Sequence, residues 1–174
     1  MTIWHFNAAV SLDMKLARPD GSVDWLADYP PDGAEFAAFL ESVDLILMGR
    51  DTYEAVVAYG GAAGWPYPGK ATIVMTSRPL EGAPPEVSTR ADLAAAVAEI
   101  EARGTGRVWI EGGGRLLAAL FALGRVDVVE LAVIPVMLGT GIPAFPEGAP
   151  ETWLKLESAK PWIRDALWLT YRRG

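Results

Sequence analysis

Val108-Trp109-Ile110-Glu111 runs straight into Gly112-Gly113-Gly114-Arg115-Leu116-Leu117. The β-branched and aromatic run reads as a strand, and the alanine- and leucine-rich stretch after the glycines reads as a helix. Glycines at such a junction let a ligand come close to the main chain. The helix N-terminus behind them offers unpaired N–H groups and partial positive charge. The chemistry that follows is the holding of a diphosphate. The spacing is not that of the G-x-G-x-x-G fingerprint, whose third glycine would fall at Leu117.

Two further junctions carry related chemistry. Met48-Gly49-Arg50-Asp51-Thr52-Tyr53-Glu54 closes a strand with glycine and opens a helix with a guanidinium and a hydroxyl, Asp51 or Thr52 being able to cap it. Met75-Thr76-Ser77-Arg78 places two hydroxyls and a guanidinium at another strand end. Arginine suits phosphate because its planar fork gives two parallel donors. Ligands of parallel sheets collect at the C-terminal strand edges, so the three junctions together imply one extended phosphorylated ligand. Glu111, at a strand end, could hold a ribose hydroxyl or cap the turn. Trp25 could stack on a flat ring or serve the core.

Other chemistries are excluded by residue type. Gly64-Trp65-Pro66-Tyr67-Pro68-Gly69-Lys70-Ala71 approaches the phosphate-loop pattern, but Ala71 lacks the magnesium-binding hydroxyl and two prolines remove N–H donors. The chain has no cysteine and a single histidine, His5, so disulfides, thiolate nucleophiles and cysteine-ligated zinc are impossible within it. His5 falls inside an apparent first strand, which suits a packed histidine better than a triad member. Hard chemistry here would come from a bound organic cofactor, and no metal is expected.

The elements that must position these residues follow the hydrophobic pattern. With 174 residues, of which 51% are hydrophobic and 21% charged, the chain reads as one globular domain over 1–174. A net charge of −7 argues against nucleic-acid binding by phosphate neutralisation. No apolar run reaches membrane-spanning length and no export signal precedes the first strand, so a cytoplasmic protein is expected. Strands are predicted at Ile3–Leu12, Leu45–Met48, Ala71–Thr76, Val108–Glu111 and Val126–Ile134, with two alternating antiparallel strands at Trp153–Glu157 and Ala166–Tyr171. Helices are predicted around Phe36–Val43, from Asp51, around Leu93–Ile100 and at Leu116–Leu123, with irregular loops at Gly60–Gly69 and Pro135–Gly141. This alternation describes an α/β domain with a mostly parallel sheet. The apolar late strands could also offer a homodimer surface.

Several of these segments together resemble a known superfamily. Met48-Gly49-Arg50-Asp51-Thr52-Tyr53-Glu54 is similar to the M-G-R-x-T-[WY]-E segment of the dihydrofolate reductases. The Gly112–Arg115 turn and Met75–Arg78 match that superfamily's glycine turn and adenosine-phosphate segment. Ser11-Leu12-Asp13-Met14-Lys15-Leu16-Ala17 resembles the S-L-D-G-K-I-A signature of its riboflavin-biosynthesis branch. Glu111-Gly112-Gly113, Pro135–Gly141 and Ala144-Phe145 also match that branch.

The resemblance implies a three-layer αβα fold of dihydrofolate-reductase type, with a mostly parallel sheet and antiparallel C-terminal strands. It implies NADPH as hydride donor. Gly49, Arg50 and Thr52, with Glu111 and the turn Gly112, Gly113, Gly114, Arg115 and Leu116, would hold the cofactor near its diphosphate and ribose. Thr76, Ser77 and Arg78 would surround the adenosine ribose and its 2′-phosphate. Ala8, Ala9, Leu16 and Ala17 would border the nicotinamide. Asp13, Lys15, Trp25, Leu138 and Gly139 would lie near a small-molecule substrate carrying a C=N bond. The implied reaction is that of a 5-amino-6-(5-phosphoribosylamino)uracil reductase. Dihydrofolate reduction is the alternative, and a non-catalytic nucleotide- or drug-binding protein on the same fold is a third. The helix acid of dihydrofolate reductases aligns on Gly33 without a gap. Asp32 (after a one-residue shift) and Glu35 (one turn further in) are therefore the candidate acids. The Cys-x-x-Cys pair of a fused zinc deaminase does not occur in this chain.

Overall fold

The computed structural model describes residues 1–30, 33–60 and 64–174. The order is β1 (Ile3–Ser11), β2 (Lys15–Ala17), α1 (Gly33–Glu41), β3 (Leu45–Gly49), α2 (Arg50–Gly60), β4 (Ala71–Met75), β5 (Val87–Arg90), α3 (Leu93–Ala102), β6 (Arg107–Gly112), α4 (Gly114–Ala122), β7 (Val128–Ile134), β8 (Ile142–Pro143), β9 (Leu154–Pro161) and β10 (Leu167–Arg173). The main sheet runs β5-β4-β3-β6-β1-β7-β10-β9, while β2 and β8 form a separate two-stranded ribbon. All pairings from β5 to β7 are parallel. The last two strands are antiparallel.

The hydrophobic period fixes the layers. Along β1, Trp4, Phe6 and Val10 pack with Val97 and Ile100 of α3 and Leu116, Leu117 and Leu120 of α4. The opposite face carries Ile46, Met48, Val74 and Trp109 against Phe36, Phe39 and Leu40 of α1 and Tyr53 and Val56 of α2. A strand's side chains alternate between faces, so two such helix pairs must sandwich the sheet. The result is the three-layer αβα arrangement with antiparallel C-terminal strands.

Some boundaries differ from the sequence reading. α2 begins at Arg50, directly after β3, so Asp51 and Thr52 lie inside its first turn instead of capping it. Asp92 caps α3, its Oδ1 accepting from the Ala95 N–H at 2.8 Å. α4 opens at Gly114, two residues before the apolar pattern starts, because Gly114 fits against β8. β2, β5 and β8 are additional strands. β5 is a polar edge strand with no buried residue, and β8 is two residues long, so neither carries a hydrophobic period.

Candidate active site

The C-terminal ends of β3, β4 and β6 converge. Gly112 has φ +138°, a conformation that side-chain-bearing residues rarely adopt. A Cβ placed on Gly112 or Gly113 would lie 3.7 or 3.5 Å from Thr52 Oγ1. The glycine turn and the start of α2 thus face each other across a narrow gap, with Gly112 buried and Gly113 half-buried. A Cβ on Gly114 would run into the carbonyl oxygens of Pro143 and Ala144, the latter at 2.9 Å. Gly114 is therefore needed for packing, Gly112 for its backbone conformation, and Gly113 leaves a half-buried main chain before Thr52.

The three arginines have different roles. Arg50 Nε donates to Glu54 Oε1 at 2.6 Å, and its Nη1 reaches the carbonyls of Arg78 and Pro79 at 3.3 and 3.2 Å. It fastens the segment after β4 to α2. Thr76 Oγ1 accepts from the Arg78 N–H at 3.1 Å and shapes the same turn, and Ser77 is exposed beside it. Arg78 and Arg115 are exposed, and neither side chain forms an ion pair or hydrogen bond among the described residues. Two uncommitted cations thus flank a glycine cradle, on a protein of net charge −7. These groups fit a phosphorylated, extended cofactor.

On the other side of the sheet centre, Asp13 is a latch. Its Oδ1 accepts from Ser11 Oγ at 2.7 Å and from the Leu138 N–H at 3.0 Å, and its Oδ2 accepts from the Gly139 N–H at 2.9 Å. The Ser11 bond, then the Leu138 N–H, hold its carboxyl at about 2. Asp13 and the main chain of Leu138 and Gly139 therefore satisfy one another, which ties the turn after β1 to the 138–139 loop. They position the turn that carries Lys15, Leu16 and Ala17, where Lys15 has no side-chain partner among the described residues. Met14, where the resembling signature has glycine, adopts φ +58° in that turn.

Glu111 also departs from expectation. It is the extra residue where β3 and β6 slip register, Leu47 pairing with Ile110 and Met48 with Gly112, and bulges of this kind re-aim a side chain. Its carboxyl turns under Tyr67, whose Oη donates to Oε1 at 2.5 Å, and so does not cap the turn. Oε2 is buried with no partner among the described residues. Burial pushes this carboxyl up to about 7, against the opposing effect of the Tyr67 bond.

Of the candidate helix acids, Asp32 lies outside the described residues. Glu35 is exposed in the first turn of α1, where its Oε2 accepts from Trp162 Nε1 at 3.4 Å. That is a surface contact to the β9–β10 hairpin. Trp25 packs in a cluster with Ala9, Ala132, Ile134, Trp162 and Trp168. Its indole Nε1 is buried with no partner among the described residues. Ala8 and Ala9 are half-buried although β1 is the fifth of eight strands; Ala8 packs on the α3 and α4 side and Ala9 in the Trp25 cluster on the opposite face.

Sequence reasoning passed over Asn7, Tyr67 and Glu130. Glu130 is the one charged residue in the otherwise apolar β7, Val128-Val129-Glu130-Leu131-Ala132-Val133-Ile134, and this was the available signal.

A parallel sheet with a reversed C-terminal hairpin, and a glycine cradle at its strand ends, defines a dihydrofolate-reductase-like protein. The chain belongs to the RibD C-terminal domain family, which it matches over residues 4–167. It is 35% identical to the Bacillus subtilis (strain 168) protein YwjB over 168 residues, covering 95% of each chain. A putative riboflavin biosynthesis protein from Shewanella sp. PV-4 superposes with a TM-score of 0.85 at 26% identity, covering 99% of this chain and 98% of that one. Enterococcus faecalis dihydrofolate reductase, in complex with NADP(H) and RAB-propyl, gives a TM-score of 0.73 at 20% identity over 99% of this chain and 96% of that one. Among the described residues no cluster suited to a metal ion occurs, and no helix is long and apolar enough to cross a membrane.

Proposed function

We propose that this protein is an NADPH-dependent reductase of a C=N bond in a pyrimidine- or pteridine-derived small molecule, with a 5-amino-6-(5-phosphoribosylamino)uracil-type compound as its leading substrate. The observation that carries this reading is the glycine cradle facing Thr52, flanked by the uncommitted Arg78 and Arg115. The Gly112–Gly113 backbone and Thr52 would hold the diphosphate, and Arg78 with Thr76 and Ser77 the 2′-phosphate. When bound, the cofactor supplies the hydride.

The chain's residues do the rest. Ala9, half-buried beside Ala132 on the α1 face, would give the floor on which the reacting rings lie. The Asp13 latch holds the turn at Leu16 and Ala17 against the 138–139 loop. Reduction of C=N puts a hydride on carbon and a proton on nitrogen, so an acid is needed at neutral pH. The test is NADPH oxidation followed by absorbance with 5-amino-6-(5-phosphoribosylamino)uracil and with dihydrofolate. Turnover of the first above the second is expected. Turnover of neither, with NADPH bound, would leave the fold with a binding role only.

A further inference from the structure

The α4 side of the sheet is covered unevenly. Val129, Leu131 and Val133 of β7 are buried in the core that holds α3 and α4. On β10, Tyr171, Leu169 and Leu167 pair with those three residues, and on β9 Leu156, Ala159 and Pro161 pair with these in turn. Residues directly opposite in a ladder share a face, so all six of the outer residues lie on the α4 side. Burial falls away outward. Leu169 and Tyr171 are half-buried, while Leu167 is 47% and Leu156 56% exposed. Ala159 and Pro161 are exposed as well. Among the paired positions of this face the only charge is Arg173, packed beside Gly124 just past α4. The reverse face of the same hairpin carries Lys155, Lys160 and Arg172. Antiparallel strands that alternate in this way bury their apolar side, and here that side extends beyond the helical cover.

We propose that this face joins a second copy of the chain, sheet face against sheet face. An added strand is a poor fit, because β9 carries Lys155, Lys160, Pro161 and a bulge at Glu157, features that block pairing at a sheet edge. The face itself is two strands wide and roughly 23 Å long. It is almost free of charge, so two copies of a chain of net charge −7 meet there without apposing like charges. Trp153, directly before β9, is 84% exposed and extends the apolar surface at one end. Each copy then offers on the order of 500 Å², and two bury on the order of 1,000 Å², the size at which a specific interface holds. A two-fold axis sets the same patch on both copies. The contact also reaches the candidate site. The reverse side of β10 carries Trp168, which packs in the cluster of Trp25, Ala9 and Ala132, so the second copy braces the strand behind that cluster.

The test measures the mass of the full chain in solution by sedimentation equilibrium at micromolar concentration. The wild type should have twice the single-chain mass of 18.7 kDa. Leu156→Glu combined with Leu167→Glu should have the single-chain mass, with the far-ultraviolet circular dichroism unchanged. Lys160→Glu, on the reverse face, should remain dimeric. If the double variant does not fold, single cysteines replace it, since the chain has none of its own. Ala159→Cys should then link to its copy through a short bismaleimide, and Lys160→Cys, one residue along on the other face, should not. A monomeric wild type overturns the proposal. So does a folded double variant that stays dimeric, or linkage at position 160 equal to that at 159.

Discussion

Tyr67 Oη lies 2.5 Å from Glu111 Oε1, joining the segment after α2 to the last turn of the central strand β6. Tyr67 also packs edge-to-face on Trp109, which in turn meets Phe36 and Phe39 of α1. Burial, and then the Glu111 charge, push the Tyr67 hydroxyl well above its usual range, so it stays a donor. Tyr67→Phe removes the one bond that favours the ionised carboxyl. Urea denaturation should show a loss of roughly 1–3 kcal/mol, the cost of leaving a buried polar group without its partner. An unchanged midpoint would show that the bond contributes nothing.

Glu111 sets a pH dependence of defined sign. Its folded value of about 7 stands above the ordinary 4.5. The native state therefore binds more protons than the unfolded chain between those values, and stability falls as pH rises through that window. The full difference is on the order of 3 kcal/mol. Glu111→Gln should be insensitive to this window and should gain melting temperature over the wild type at pH 8 but not at pH 4.5. Parallel curves for the two proteins would contradict the assignment.

The Asp13 latch should matter for catalysis more than for folding. Asp13→Ala frees the Leu138 and Gly139 N–H groups and lets the 138–139 loop leave Leu16 and Ala17. Misplacing a reacting pair by about 1 Å costs about 10²-fold in rate. Single-turnover kinetics should show a fall of that order in hydride transfer, with NADPH affinity little changed. Equal losses in both would mean that Asp13 acts through the cofactor.

Gly114 should not tolerate a side chain. Gly114→Ala places a methyl group against the Pro143 and Ala144 carbonyls, an overpacking that costs about 1–3 kcal/mol. Gly113→Ala, with only Thr52 Oγ1 at 3.5 Å, should fold and lose cofactor affinity instead. Thermal melts and NADPH titration of the two variants separate the roles of neighbouring glycines.

Much of this arrangement was legible in the sequence, for identifiable reasons. The long apolar strands β1, β3 and β7 and the helices α3 and α4 carry strong periods, and the three strand-end junctions stand out by residue type. The wiring inside the site was not legible. That Asp13 would turn to Leu138 and Gly139, 125 and 126 residues away, depends on the β2–β8 ribbon, whose strands of three and two residues carry no period. The turning of Glu111 depends on a bulge that adds one residue to β6, and a bulge has no signature in residue type here. Glu130 and Asn7 meet only because β1 and β7 pair across 123 residues.

If the glycine cradle holds NADPH with Arg78 on its 2′-phosphate, as proposed above, the cofactor should stabilise the native fold. The most direct measurement is thermal unfolding of the wild type and of Arg78→Ala with NADPH, with NADH and with neither. At 100 times its dissociation constant a native-state ligand adds about 2.7 kcal/mol, a shift of roughly 5–10 °C for a chain of this size. That shift is expected with NADPH, a smaller one with NADH, and in Arg78→Ala a response that no longer distinguishes the two. No shift with either cofactor at millimolar concentration would contradict it.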